Sequence, residues 1–138
     1  MDAKEELQNC LYEANYQNIV NAELEKLFVE MLDLQDKNLV STSRYKKLNE
    51  LIEKNEKLIE ESEMKVSKIK DKINEIKQPY KNILLLRYIN GKSYEDIAVE
   101  SNYSTPRIFQ LHREAISLYN QKYFSNENDS KLDNDRTL

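Results

Sequence analysis

The chain has 138 residues, of which 33% are charged and 39% hydrophobic, and it carries one Gly, one Cys, one His and no Trp. These counts argue against an enzyme, because one Gly cannot build a phosphate-binding loop and one His with one Cys cannot close the usual Cys/His zinc sites. The scarcity of Gly and Pro also argues against tight β-hairpins, whose turns need residues with positive φ. We therefore expect an all-α protein that is not an enzyme and uses no cofactor.

The first predicted element is one long helix from Ala3 to about Lys37. Its mostly apolar stripe recurs at alternating spacings of three and four residues, as expected for an amphipathic helix. The stripe consists of Leu7, Cys10, Ala14, Gln17, Asn21, Leu24, Phe28 and Met31, widened by Leu11, Val20, Leu27 and Leu34. The segment 38–43 breaks the pattern and places Ser43 as the N-cap of the next helix.

A second long helix is predicted to end near Lys77. Its stripe has the same spacing, which is the heptad pattern of a coiled coil. The stripe consists of Leu48, Ile52, Asn55, Ile59, Ser62, Val66, Ile69, Ile73 and Ile76. Each long helix spans roughly 50 Å, and their similar lengths and short connection predict an antiparallel hairpin. The two stripes can form the core of the hairpin by packing on each other, and they can also form a homodimer interface. In the second case polar Asn55 and Ser62 would set the register.

Three shorter helices are predicted to follow, because Pro79 drives the residue before it out of the α-helical region. The first runs from Pro79 to Ile89 and is closed by Asn90-Gly91, where Gly suits a left-handed position. The second covers residues 93–101, with Ser93 at its N-terminus. The third begins at Ser104 or Thr105 and runs to about residue 124.

Charge is distributed unevenly among these regions. Residues 1–77 hold 13 Lys/Arg and 17 Asp/Glu, residues 78–124 hold 6 and 4, and residues 125–138 hold 2 and 4. The block 78–124 is therefore the only net positive part of the chain. The acidic segment 125–138 has no hydrophobic periodicity and is predicted to be a disordered tail.

Residues 94–111 fit the helix-turn-helix pattern. Ala98 is small enough to let two short helices cross closely, and Asn102 stands where the turn needs a left-handed residue, a conformation that Asn tolerates better than most. The expected core of this motif consists of Ile97, Tyr103, Ile108 and Leu111.

The segment from Pro79 to Tyr119 contains the stretches LLLRYINGKSYEDIA, NYS and IFQLHREAI. In these motifs it resembles the promoter-reading fourth domain of bacterial sigma factors, and more closely the sigma-like helix-turn-helix regulators of phages and prophages of Gram-positive bacteria. The resemblance implies a DNA-binding transcriptional regulator, and His112, Ala115 and Ile116 match the end of the family's recognition helix. Over residues 1–77 the resemblance is limited to a long Lys/Glu-rich helical region. The parts that a complete initiation factor needs to melt DNA are missing.

Helical geometry predicts which side of the third short helix contacts DNA. At about 100° per residue, one face is buried and the opposite face is free. The predicted buried face consists of Ile108, Leu111, Ala115 and Leu118. On the free face Gln110 can bond adenine, an Arg can pair with guanine or phosphate, and Phe109 can pack on a thymine methyl. The predicted DNA-binding residues are Lys92, Ser93, Tyr94, Ser104, Thr105, Pro106, Arg107, Phe109, Gln110 and Arg113.

Several other residues receive supporting roles in this interpretation. Lys92 lies where the N-terminus of the second short helix can hold a phosphate. Lys81 and Arg87 are weaker candidates for phosphate contacts. His112 lies near the buried stripe and is expected to be a packed residue and not a ligand or catalyst.

The expected partner is double-stranded DNA. A second copy, bound through residues 3–77, or RNA polymerase would supply further affinity, and no small-molecule substrate is expected. The alternative is a helical interaction module that docks on RNA polymerase or another protein without binding DNA. A single Cys, no apolar segment behind Met1 and no apolar run of about 20 residues predict a cytoplasmic protein without a membrane partner.

Overall fold

The computed structural model describes the backbone of residues 1–136 and the side chains of residues 1–125. The all-α prediction is confirmed, because the described backbone forms helices and no β-strand. Two long helices come first and shorter ones follow. The helices are α1 (Ala3–Asp36), α2 (Ser43–Asn74), α3 (Tyr80–Leu84, continued by a π-helical turn over Leu85–Ile89), α4 (Tyr94–Ser101) and α5 (Thr105–Arg136).

Contacts divide the chain into two compact units, and their boundary differs from the predicted one at residue 78. The hairpin unit is Tyr12–Lys65, and the helix-turn-helix unit combines Met1–Leu11 with Val66–Leu138. The first residues of α1 and the last residues of α2 therefore belong with α3, α4 and α5. The reason is that their apolar side chains share a core with the shorter helices.

In the hairpin unit, the segments of α1 and α2 run antiparallel. Arg44, near the start of α2, forms a bidentate ion pair with Glu30, near the end of α1, at N–O distances of 2.6 and 2.7 Å. Ser62, later in α2, donates a hydrogen bond to Glu13, earlier in α1. The buried core between the two segments consists of Leu24, Leu27, Leu48 and Ile52.

The buried stripe of α1 differs from the predicted one on one flank. Ala14, Asn21 and Phe28, which the spacing placed in the stripe, are exposed, whereas Val20 and Leu27 are buried. The sequence of α1 carries apolar residues on both flanks of the line through Leu24, and a single partner helix covers only one flank. Phe28 is left 43% exposed as a result.

In the helix-turn-helix unit, α1, α2, α3 and α5 contribute side chains to one buried cluster. Leu7, Ile73, Leu84 and Ala115, one from each helix, are fully buried, as is Tyr119 of α5. Removal of such side chains from water is the main favourable contribution to folding, at about 25 cal/mol per Å². This cluster holds the start of α1 and the end of α2 against the shorter helices.

A polar group that the sequence patterns did not reveal joins three helices of this unit. Lys72 of α2 forms an ion pair with Glu6 of α1 at 2.7 Å, and the hydroxyl of Tyr119 donates a hydrogen bond to the same carboxylate. The ammonium of Lys72 also lies 4.7 Å from the ring centroid of Tyr123, whose hydroxyl donates to the Lys72 carbonyl at 2.6 Å. These contacts attach α5 to α1 and α2.

Two helix ends differ from the sequence prediction. The cap of α2 is Thr42, whose Oγ1 accepts a hydrogen bond from the backbone of Tyr45 at 3.2 Å, while Ser43 is already helical. Helix α5 continues to Arg136, beyond the predicted end at Phe124. The structure describes no side chain after Ser125, so the disorder predicted for the segment 125–138 stays a prediction.

Candidate nucleic-acid interface

The start of α4 is built by two residues whose roles the sequence indicated. Gly91 follows α3 with a φ of 68°, in the left-handed region that Gly adopts without strain. Ser93 is extended and caps α4, because its side chain accepts a hydrogen bond from the backbone of Asp96 at 3.1 Å. Both predictions are confirmed, and together they fix the direction in which α4 leaves the preceding turn.

The turn between α4 and α5 has the conformation that the helix-turn-helix pattern predicted. Asn102 is left-handed, with φ 60° and ψ 31°. Ser104 caps α5, since its hydroxyl accepts the backbone N–H of Arg107 at 3.2 Å. Thr105 is the first helical residue and is half-buried, and Pro106 follows it in the first turn, where its missing N–H has no helical partner to lose.

A separate buried cluster holds α4 against α5. Ile97 and Ala98 of α4 meet Ile108 and Leu111 of α5 in this cluster, together with Ile83 of α3. The prediction that Tyr103 belongs to this core is wrong, because its side chain is 40% exposed. Ile83 takes its place. The hydrophobic pattern within α4 and α5 alone could not identify it, since it lies on another helix.

The buried face of α5 matches the prediction over its first turns. Ile108, Leu111 and Ala115 are buried, but Leu118 is only half-buried and Tyr119 is fully buried in its place. The difference arises where α5 leaves α4 and packs on the cluster formed with α1 and α2. Its partners therefore change along its length, and the buried face shifts with them.

The opposite face of α5 is exposed, as predicted. Phe109 retains 41% of its accessible surface. Gln110 donates a hydrogen bond of 3.3 Å to Glu114, one turn further along, and Glu114 also accepts one from the hydroxyl of Tyr80 at 2.9 Å. The predicted DNA-binding residues that are exposed on this face are Pro106, Arg107, Phe109, Gln110 and Arg113. We call these five residues the α5 face.

A packed aromatic group, only parts of which the sequence indicated, supports the α5 face from below. The ring of Tyr94 lies 4.9 Å from the ring of Phe109 and 5.2 Å from that of His112, centroid to centroid. The guanidinium of Arg87 lies 4.4 Å from the ring of Tyr94 and donates to the carbonyl of Lys92 at 2.9 Å. Phe109 is thus exposed on one side and held on the other.

Two predicted phosphate-binding side chains already have protein partners. Arg87 is half-buried, its guanidinium lies against the Tyr94 ring, and it donates to the Lys92 carbonyl, so it would have to leave these partners to hold a phosphate. Lys92 forms an ion pair with Glu100 across α4. Its ammonium remains at the surface, so it can reach an anion only by leaving that carboxylate. Exposed Glu95 and Asp96 in the first turn of α4 make this edge less positive than the sequence suggested.

His112 is a packed residue, as predicted. Its Nε2 lies 2.7 Å from the hydroxyl of Tyr88. Burial is the main reason that the pKa of His112 is lowered to about 4, and the positive charges of Arg87 and Lys4 lower it further. Burial likewise raises the pKa of Tyr88. The pair is therefore neutral near pH 7 and orients α5 on α3.

This arrangement can present a cationic, amide-bearing helix face to a polyanion. Within the part of the chain that the structure describes, no group of His, Cys, Asp and Glu side chains could hold a metal ion, and no helix is long and apolar enough to cross a bilayer. Comparisons with protein-family models, with curated proteins and with solved structures give no match.

Proposed function

We propose that this protein is a sequence-specific, DNA-binding transcriptional regulator of the phage or prophage type, which reads the major groove with the N-terminal half of α5. One observation carries the proposal. A left-handed Asn102 and a Ser104 cap turn α5 across α4 so that its apolar side is sealed and the α5 face is free. The motif resemblance of residues 79–119 to sigma-like regulators supports the same interpretation.

The side chains of the α5 face have complementary chemistry for base edges. Gln110 offers one donor and one acceptor, which match the N7 and N6 groups of adenine. Arg107 and Arg113 offer bidentate donors for guanine or phosphate. Phe109, held at a fixed angle by Tyr94, can contact a thymine methyl. These positions lie in the first three turns of α5, and the N-terminal part of the recognition helix is the part that enters the groove in this motif.

Two protein contacts compete with DNA at this interface. Gln110 must leave Glu114 to bond a base, and Lys92 must leave Glu100 to hold a phosphate. Both contacts are at the surface, where such pairs contribute about 0–1 kcal/mol. The competition lowers affinity modestly and penalises sites that do not offer Gln110 a full set of partners.

The charge of the region predicts weak binding by a single copy. Residues 78–124 carry a net charge of +2, so the affinity rests on a few phosphate contacts and falls steeply with salt. A second copy or RNA polymerase bound at the same promoter would raise occupancy through effective concentration.

The test is selection of duplex DNA with the purified full-length chain at about 50 and about 200 mM salt. Fluorescence anisotropy on the selected duplex then compares the wild type with a variant carrying Arg107→Ala and Gln110→Ala. We expect a single enriched motif, a steep salt dependence and a loss of about 1–3 kcal/mol of binding free energy for each base contact removed.

The matched control is Lys46→Ala, which removes one exposed positive charge from α2 in the hairpin unit. Its affinity should stay close to that of the wild type, whereas the double variant should also lose its preference for the selected motif. If selection enriches no sequence, or if the double variant binds the motif as well as the wild type does, the proposed reading role of α5 is wrong.

A second candidate is favoured by the carboxylates beside the α5 face. Exposed Glu95, Asp96 and Glu100 on α4, together with Phe109, form a mixed surface that suits a protein partner better than a phosphate backbone. In that case the unit docks on RNA polymerase without contacting DNA. Transcription activity that survives the double Ala variant would support this candidate over the first.

A further inference from the structure

Helix α1 exposes large apolar side chains on a face that does not contact α2. Phe28, Val29 and Leu32 are 43%, 67% and 58% exposed. Leu32 follows Phe28 by four residues and Val29 by three, so its side chain lies beside both of theirs on the helix surface. We call these three residues the outer patch. Scattered apolar residues are ordinary on protein surfaces, but a contiguous apolar group indicates an interaction site.

The two helices of the hairpin unit differ sharply in this respect. Helix α2 exposes one large hydrophobic residue, Met64, among its residues 43–74, whereas α1 also exposes Ile19 at 70% and Tyr12 at 62%. The apolar residues of α2 are therefore almost all used in its contacts with α1. Those of α1 exceed what one partner helix can cover, so a further helix is needed to bury the outer patch.

Two exposed carboxylates bracket the outer patch on the same face of α1. Glu25 precedes Phe28 by one turn, and Asp36 follows Leu32 by one turn. Two other acidic residues nearby have cationic partners within the hairpin unit. Glu30 pairs with Arg44, and Asp33 pairs with Lys37 at 2.9 Å. Glu25 and Asp36 thus define an apolar strip with a negative charge at each end.

This charge pattern disfavours a second copy of the chain in a parallel pairing and in the antiparallel register that aligns Val29 with Leu32. If two α1 helices met antiparallel through the outer patch, with Val29 opposite Leu32 of the other copy, Glu25 would lie opposite Asp36. In a parallel pairing each carboxylate would face its own equivalent. Like charges placed opposite each other oppose association. Helix α2 of a second copy offers no comparable apolar strip.

We propose that the outer patch binds an amphipathic helix of another protein, with an apolar stripe flanked by Lys or Arg. The apolar stripe of the partner covers Phe28, Val29 and Leu32. Its basic residues pair with Glu25 at one end and Asp36 at the other, which fixes the position of the partner along α1. The inference does not depend on the proposed DNA-binding function, because it uses residues of the hairpin unit alone.

The experiment uses the full-length protein and two synthetic helical peptides of about 18 residues, which is about 27 Å of helix. Both peptides carry Leu at helical spacing, and one has Lys and the other Glu at the flanking positions. Fluorescence anisotropy should show that the Lys peptide binds about tenfold more tightly than the Glu peptide at low salt, and that the difference shrinks as salt screens the charges.

Two variants make this result specific to the outer patch. Replacement of Phe28, Val29 and Leu32 by Gln should abolish binding of the Lys peptide, while circular dichroism should be unchanged because these side chains are exposed. Reversal of both charges, Glu25→Lys with Asp36→Lys, should invert the preference so that the Glu peptide binds better. The matched control, Met64→Gln on α2, should bind as the wild type does.

Three outcomes would overturn the proposal. The first is no binding of the Lys peptide, and the second is equal binding of both peptides, which would indicate unselective hydrophobic contact. The third is sedimentation showing that the wild type is a dimer and that the triple Gln variant is a monomer, because a second copy would then occupy the patch. DNA selection with the triple variant separates this test from that of the α5 face.

Discussion

The helix-turn-helix unit and the hairpin unit differ in how completely they bury their apolar side chains. In the helix-turn-helix unit, side chains from four helices converge on Tyr119 and Leu84, which are fully buried. In the hairpin unit, two helical segments bury a narrow core around Leu48 and leave much of the apolar surface of α1 exposed. Both units are helical and each contains a part of α1 and a part of α2, so the difference lies in the number of helices that meet.

A pair of helices can bury only one stripe of each helix. A third and fourth helix are needed before residues on several faces can be buried together. The helix-turn-helix unit has these additional helices. Its polar side chains, such as Glu6 and Lys72, attach α1, α2 and α5 to one another. The hairpin unit has only two helical segments, so apolar side chains such as Phe28 stay exposed on α1.

The largest expected effect is the loss of Tyr119, the biggest of the fully buried side chains. Tyr119→Ala should lower the stability of the helix-turn-helix unit by about 3–5 kcal/mol, because it opens a cavity where α5 meets α1 and α2. Hydrogen exchange of the amides of α5 measures this unit directly. Amides of the hairpin unit, such as those near Leu48, should be affected much less.

The control Tyr119→Phe separates packing from hydrogen bonding. It keeps the ring but removes the hydroxyl that donates to Glu6, so we expect a loss of only about 1–2 kcal/mol. Equal losses for the Ala and Phe variants would mean that the bond to Glu6, and not the convergence of helices, holds α5 in place.

A smaller effect is expected from acid, and only in the helix-turn-helix unit. The pKa of His112 is about 4 in the folded chain, whereas it is about 6.5 in an unfolded one. The unfolded state therefore binds more protons between these values, and stability falls as the pH is lowered from about 6.5 to about 4. Because the imidazole is partly exposed, we expect a loss of about 1–2 kcal/mol.

The variant His112→Gln isolates this contribution. The side-chain oxygen of Gln can still accept a hydrogen bond from Tyr88, but the Gln side chain does not become protonated when the pH is lowered. Exchange of α5 amides at about pH 7.5 and about pH 5 should show a smaller loss of stability for the variant than for the wild type. A wild type and a variant that lose stability in parallel would show that other groups cause the pH dependence.

The smallest effect concerns the one buried polar residue of the hairpin unit. Ser62 is 2% exposed, accepts a hydrogen bond from Gln17 at 2.9 Å and donates one to Glu13 at 2.6 Å. Ser62→Ala removes the hydrogen bonds to Gln17 and Glu13. It should lower the free energy of unfolding by about 0.5–1.5 kcal/mol, measured by hydrogen exchange of α2 amides. Ser67→Ala, at an exposed position of the same helix, gains the same helix propensity and should not destabilise.

Much of the candidate site could be predicted because its determinants are local. Ser93, Asn102 and Ser104 act on backbone groups within three or four residues of themselves, so their spacing in the sequence fixes their role. The exposure of Arg107 and Gln110 follows from the helical repeat in the same way. The error at Tyr103 and the unexpected contact of Arg87 with Tyr94 both involve packing between different helices, which the repeat within one helix does not show.

The sequence by itself determined the helical class, the order of the helices and the face of α5 that stays free, because each depends on residue periodicity and on chemistry at helix ends. Only the tertiary structure decided which flank of α1 faces α2, which side chains complete the cores, and that Glu6 meets Tyr119 across 113 positions of sequence. Such contacts depend on how helices are brought together, and the repeat within one helix carries no information about which neighbour will cover it.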